Sequence, residues 1–200
     1  PHLSAYSLTL EEKTTLAYLI NKGLAKQPDE NEAIIQYNML TSFMDGHNYK
    51  HYEISNFAKE GFFSNHNTAY WKDKPYLGLG PSAHSYNLIS RQWNVSNTTK
   101  YIKQINAGIV PAEIEELSNV QKYNEYVYTR LRTSWGANQR EMAGKYGKAF
   151  SVFFRTAINK YVSRGQVYQD NSCFKLTGEG MLYADAIASD CFYTQKTDER

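Results

Sequence analysis

Six consecutive residues, HNTAYW, place an imidazole at His66, a carboxamide at Asn67 and two large aromatic rings at Tyr70 and Trp71. A neutral imidazole nitrogen can act as an axial ligand to haem iron, and tyrosine or tryptophan rings can stack on a porphyrin. These residue types therefore support capture of a flat ligand, with His66 as the candidate haem ligand. Against this, a lone histidine beside aromatics is more often a structural residue held by a hydrogen bond.

Just downstream, YLGLGPSAH brings Gly78, Gly80, Ser82, Ala83 and His84 together behind an apolar run. This reads as a strand ending in a tight turn where backbone can approach a ligand closely. It is a poor dinucleotide fingerprint: Ala83 holds the third glycine position, Pro81 interrupts the loop, and neither a helical start nor a downstream acidic residue follows. In HYEISNFA, strand alternation would set His51, Glu53 and Ser55 on one face. A hydrolytic triad needs a nucleophile on a strained elbow, which neighbouring strand positions do not supply, so that reading is set aside.

These residues must be positioned by the surrounding elements. Leu3 to Leu10 is expected to be a strand. Asp29 and Glu32 have capping-box spacing, Ala33, Tyr37, Leu40 and Met44 form a helical stripe, and Gly46 stops the helix. Tyr49 to Ala58 reads as a second strand, so strand, helix and strand suggest a parallel α/β unit. QWNVSN follows as a strand and TTKYIKQINAG as a helix closed by Gly108, and GIVPAEIEE has linker character.

Beyond that, Ser118 and Gln121 begin a helix with Val120, Tyr123, Val127 and Leu131 on one face and Gly136 as its stop. Asn138 and Glu141 begin a short helix. Phe150, Phe153, Phe154, Ala157, Ile158, Tyr161 and Val162 then give the strongest helical period in the chain. A hairpin turns at Asp170, Asn171 and Ser172, and Thr177 caps one last helix, GEGMLYADAIASD. Helix, helix, hairpin and helix in this order suggest a winged-helix-like module.

Composition sets bounds. The formal charge is +2, too small to mark a nucleic-acid or membrane surface. Lys145, Lys148, Arg155, Lys160 and Arg164 read as a solvated helical face, and no nucleic-acid partner is expected. No apolar run approaches the roughly 18 residues that span a bilayer and no signal core begins the chain, which reads as cytoplasmic. Cys173 and Cys191 form no C-x-x-C pattern and are expected as separate thiols. Tyrosine is the compositional outlier, with 17 residues.

HLSAYSLTLEEKTTL, YEISNFAKEGFFSNHNTAYW, YLGLGPSAHSY, RLRTSWG and FKLTGEGMLYADAI resemble, in order and spacing, the second half of the radical S-adenosylmethionine proteins of the HemN/HemW family. The H-N-x-x-Y-W element, His66, Asn67, Tyr70 and Trp71 here, is similar to the HemW branch of haem chaperones. The resemblance implies the last strands and helices of a partial (β/α) barrel over residues 1–108. A mainly helical, winged-helix-like domain over 109–200 would follow. The family binds a [4Fe-4S] cluster and S-adenosylmethionine, with the cluster on a C-x-x-x-C-x-x-C loop that this sequence does not contain. The chain is accordingly expected to be part of a longer protein and inactive in radical chemistry by itself, with no catalytic residue of its own.

On this reading the resemblance assigns His66, Asn67, Tyr70 and Trp71 to haem or porphyrin, and Gly78, Gly80, Ser82 and His84 to the lining of the same cavity. Haem-acceptor proteins are the implied partners. Within the family, a coproporphyrinogen III oxidase would need several basic residues for a tetra-anionic substrate. Lys72, Lys74 and Arg91 are all that this region contributes, which favours the chaperone.

Overall fold

The structure, a computed structural model, describes residues 1–8 and 10–194. They fall into two compact units, Pro1–Phe63 and Ser64–Arg200. No helix among the described residues is long and apolar enough to cross a membrane.

The first unit runs β1 (His2–Ser4), α1 (Thr15–Asn21), α2 (Glu30–Gly46), β2 (Lys50–Glu53) and β3 (Asn56–Ala58). Thr14 caps α1, a helix with no counterpart among the sequence expectations, by accepting from Ala17 N at 3.2 Å. The Asp29 carboxylate begins α2 by accepting from Asn31 N and Glu32 N at 2.8 and 3.1 Å. Gly46 closes the helix as expected, and Met44 is its buried residue.

Two strand expectations fail here. The strand expected over Leu3 to Leu10 ends at Ser4, and Thr9 of that stretch lies outside the described residues. Tyr49 to Ala58 is two strands, because the chain reverses at Ile54 and Ser55 and pairs Glu53 with Asn56. The Glu53 carboxylate fixes the reversal by accepting from the Asn56 side chain and, at 3.4 Å, from Ser55 N. A register shift between His51 and Glu53 turns Tyr52 and Glu53 inward together, which breaks the alternation read from HYEISNFA. The sheet order is β1-β3-β2 with both pairings antiparallel. The expected parallel strands β1 and β2 do share a direction, but β3 lies between them.

The second unit opens with α3 (Asn65–Trp71), β4 (His84–Tyr86), β5 (Ser90–Asn94), α4 (Thr98–Asn106) and β6 (Ala112–Glu116). The three strands form an antiparallel sheet in sequence order. Residues 112–116, expected as linker, are thus a paired strand: Ala112 faces Asn94 and Glu116 faces Ser90 across the sheet. Asn97 caps α4 through Lys100 N at 2.8 Å.

The remainder is α5 (Asn119–Leu131), β7 (Ala137–Asn138), α6 (Gln139–Tyr146), α7 (Lys148–Ser163), β8 (Val167–Asp170), β9 (Cys173–Leu176), α8 (Gly178–Leu182) and α9 (Ala184–Asp190). The Ser118 and Gln121 capping box forms as the sequence indicates. Tyr123, Val127 and Leu131 from α5, Met142 from α6, Phe154 and Ile158 from α7 and Ile187 from α9 are wholly buried together with Phe174 of β9. This apolar core holds the helices against the sheet β7-β9-β8.

Gly136 does not stop α5, which ends at Leu131. It adopts φ +71° in front of β7, where an added Cβ would lie 2.4 Å from the Phe174 carbonyl oxygen. The single last helix expected after Thr177 is two, since Tyr183 leaves helical geometry between α8 and α9.

Candidate functional site

Ser64 caps α3 by accepting from Asn67 N at 3.2 Å. The helical register then brings His66 and Tyr70, four residues apart, onto one face. Their ring centroids are 4.9 Å apart and the planes perpendicular at 89°. Asn67 and Trp71 share the adjacent face by the same spacing, and Trp71 is half-buried. His66 is exposed, and among the described residues neither of its ring nitrogens has a hydrogen-bond partner. His51 shows the contrast: its Nε2 lies 3.2 Å from the Ile54 carbonyl oxygen, its ring stacks on Phe57 at 4.2 Å, and burial lowers its pKa.

Tyr70 continues the aromatic surface away from His66. Its ring meets Tyr76 edge-on at 4.7 Å, and Tyr76 lies 6.1 Å from Tyr86. Tyr76 and Tyr86 also exchange backbone N–H to carbonyl hydrogen bonds of 2.9 Å in each direction. The three tyrosines wall a pocket of about 250 Å³ with His84, Arg91 and Lys122. Tyr86 donates its hydroxyl to Asp73 Oδ1 at 2.7 Å, and burial with that carboxylate pushes its pKa up. Burial also raises Tyr76, with the Tyr70 hydroxyl adding to the effect and Arg91 opposing it.

The glycine turn precedes its strand rather than ending one: Leu77 and Leu79 are exposed at 74% and 81%, and β4 begins only at His84. Backbone approach decides the glycine at position 78, because a Cβ there would sit 2.1 Å from the His84 carbonyl oxygen. Gly78 N donates to Ser85 Oγ at 3.0 Å, and Asn94 Nδ2 donates to the Gly80 carbonyl at 2.9 Å. Gly80 N donates to the Tyr101 hydroxyl at 3.2 Å. Gly78 and Gly80 thus anchor the loop to β4, β5 and α4. Ser82 and His84 line a hollow of about 530 Å³ with Trp93, Asn94 and Gln104. His84 borders both spaces, and Tyr70 reaches only the smaller.

The residues contributed by α5, Lys122, Glu125, Tyr126 and Thr129, are absent from the sequence-based assignment. They lie some fifty positions beyond α3, and no local spacing signals that they meet it. An iron–sulfur cluster does not fit this chain. Cys173 and Cys191 are its two cysteines, both free, and burial pushes the Cys191 thiol up to about 12. Among the described residues no group of three or more His, Cys, Asp or Glu is placed so that it could hold a metal ion.

Fold and sequence comparisons agree on the class. The solved structure of Escherichia coli coproporphyrinogen III oxidase HemN, a radical SAM enzyme, superposes with a TM-score of 0.65 at 15% identity. The match covers 88% of this chain and 45% of that one. Residues 117–183 match the HemN C-terminal domain. The heme chaperone HemW of Bacillus subtilis is 32% identical over 187 residues, 93% of this chain and 49% of that protein. Radical S-adenosyl methionine domain-containing protein 1, mitochondrial, of Danio rerio is 36% identical over 198 residues, 93% of this chain and 45% of that protein. Over nearly its whole length the chain is similar to proteins of the HemN/HemW family, and it spans about half the length of the curated relatives it matches.

Proposed function

We propose that this chain carries the haem-capturing part of a haem chaperone, with haem as cargo and His66 as its axial ligand. The observation that carries the reading is the state of His66: an exposed imidazole, its nitrogens not engaged among the described residues, set edge-on to Tyr70, which lines a tyrosine-walled pocket. Tyr70 offers the adjoining aromatic surface. The names borne by the bacterial relatives support the same reading. Residues 1–108 would be the closing part of a radical SAM barrel and residues 109–200 a winged-helix-like C-terminal domain, with haem-acceptor proteins as partners. The iron–sulfur cluster and most of the S-adenosylmethionine site would be supplied by sequence outside this chain.

An oxidase acting on coproporphyrinogen III would hold four propionates, and cations free to meet them are scarce here. Arg91 is already paired with Glu125 and Lys145 with Glu141. Titration of the chain with ferric haem tests the proposal. A shifted and intensified Soret band that saturates at one haem per chain is expected, and absence of binding removes the reading.

A further inference from the structure

Haem carries two propionates as well as iron, and the pocket beside Tyr70 has one cation with no partner. Asp73 is met by the Tyr86 hydroxyl at 2.7 Å and by Lys145 Nζ at 3.6 Å, and Glu125 by Arg91. Lys122, half-buried on α5, lines the same pocket and has no carboxylate within salt-bridge reach among the described residues. The hydroxyls of Tyr70 and Tyr76, whose side chains line the same pocket, donate to no protein acceptor among those residues. Both carboxylates are therefore compensated within the protein, while an ammonium and two phenol donors remain open to a ligand.

We propose that this pocket receives a propionate carboxylate of haem, with Lys122 as its counter-ion and the Tyr70 and Tyr76 hydroxyls as supporting donors. An anion suits the position. A carboxylate accepts charge-assisted hydrogen bonds from an ammonium, and a half-buried setting screens the pair less than open water does. The inference rests on the haem reading of the same site and extends it. Lys122 lies in the matched HemN C-terminal domain, so that domain would help fix the orientation of the cargo. A single open cation fits one carboxylate at this pocket, the demand of a haem entering edge-first.

The test uses the whole chain, ferric haem and ferric haem dimethyl ester, whose carboxylates are blocked, with the wild type, Lys122→Gln and Lys122→Arg. Soret titrations give affinities, and circular dichroism checks that each variant is folded. The expected result is an affinity for haem lowered about tenfold by Lys122→Gln and largely retained by Lys122→Arg. The ester should bind the wild type more weakly than haem and be indifferent to Lys122→Gln. Unchanged haem affinity in Lys122→Gln, or an equal loss for haem and ester, overturns the inference and leaves the haem reading standing. A wild type that binds neither compound overturns the haem reading itself.

Discussion

Tyr126 and Tyr70 are the same residue type put to opposite uses. Tyr126 is buried on α5, and its hydroxyl accepts from Asn138 N at 3.0 Å while lying 3.0 Å from Glu141 Oε2. Tyr123, one turn earlier, donates to the Cys191 carbonyl at 2.9 Å and is wholly buried. Both hydroxyls close the C-terminal core around polar backbone that would otherwise be orphaned. Tyr70 is 42% exposed, touches His66 and Tyr76 by ring edges, and leaves its hydroxyl open. A tyrosine-rich composition is therefore ambiguous until burial and hydroxyl partners are known: one set holds the fold, the other presents a surface.

The contrast can be broken by substitution. Phe154, wholly buried in α7 against Phe174, belongs with the structural aromatics. Phe154→Ala should cost about 3–5 kcal/mol in thermal or denaturant unfolding. Tyr126→Phe removes one hydroxyl and leaves Asn138 N without its acceptor, for an expected loss of about 1–2 kcal/mol in unfolding.

Burial raises the pKa of both Tyr123 and Tyr126 above the ordinary value of 10.0. The unfolded chain loses these protons first as pH rises. Their stabilising contribution is therefore complete below pH 10 and declines above it. Melting midpoints recorded from pH 8 to 11 should fall only at the upper end. Tyr70→Phe, by contrast, should move stability by no more than about 0.5 kcal/mol. A drop as large as that of Tyr126→Phe would erase the distinction between the two sets.

How much of this was legible in the sequence follows from the range of the interactions. The seven apolar positions from Phe150 to Val162 announce α7, and Ser118 with Gln121 announces α5, because helical period and capping are local. The reversal at Ile54 and Ser55 was hidden, since an apolar, β-prone run continues through it and the Glu53 side chain that fixes it acts across the turn. β6 was hidden by its acidic, proline-preceded composition, which reads as linker until β5 supplies its hydrogen-bond partners. At the site, HNTAYW displayed the imidazole and its aromatic neighbours, but the assignment of His66 and Tyr70 to one face required knowing that the segment is helical. Lys122 could not be found from local spacing at all: tertiary packing alone brings α5 beside β4 and β5.

The central claim is that His66 holds the iron, and His84 makes the sharpest control because it borders the pocket that Tyr70 lines. Ferric haem should be added to the wild type, His66→Ala and His84→Ala, and the Soret and low-energy bands compared. The account predicts that His66→Ala loses the histidine-ligated spectrum while His84→Ala keeps it. Retention of that spectrum in His66→Ala, with its loss in His84→Ala, would contradict it.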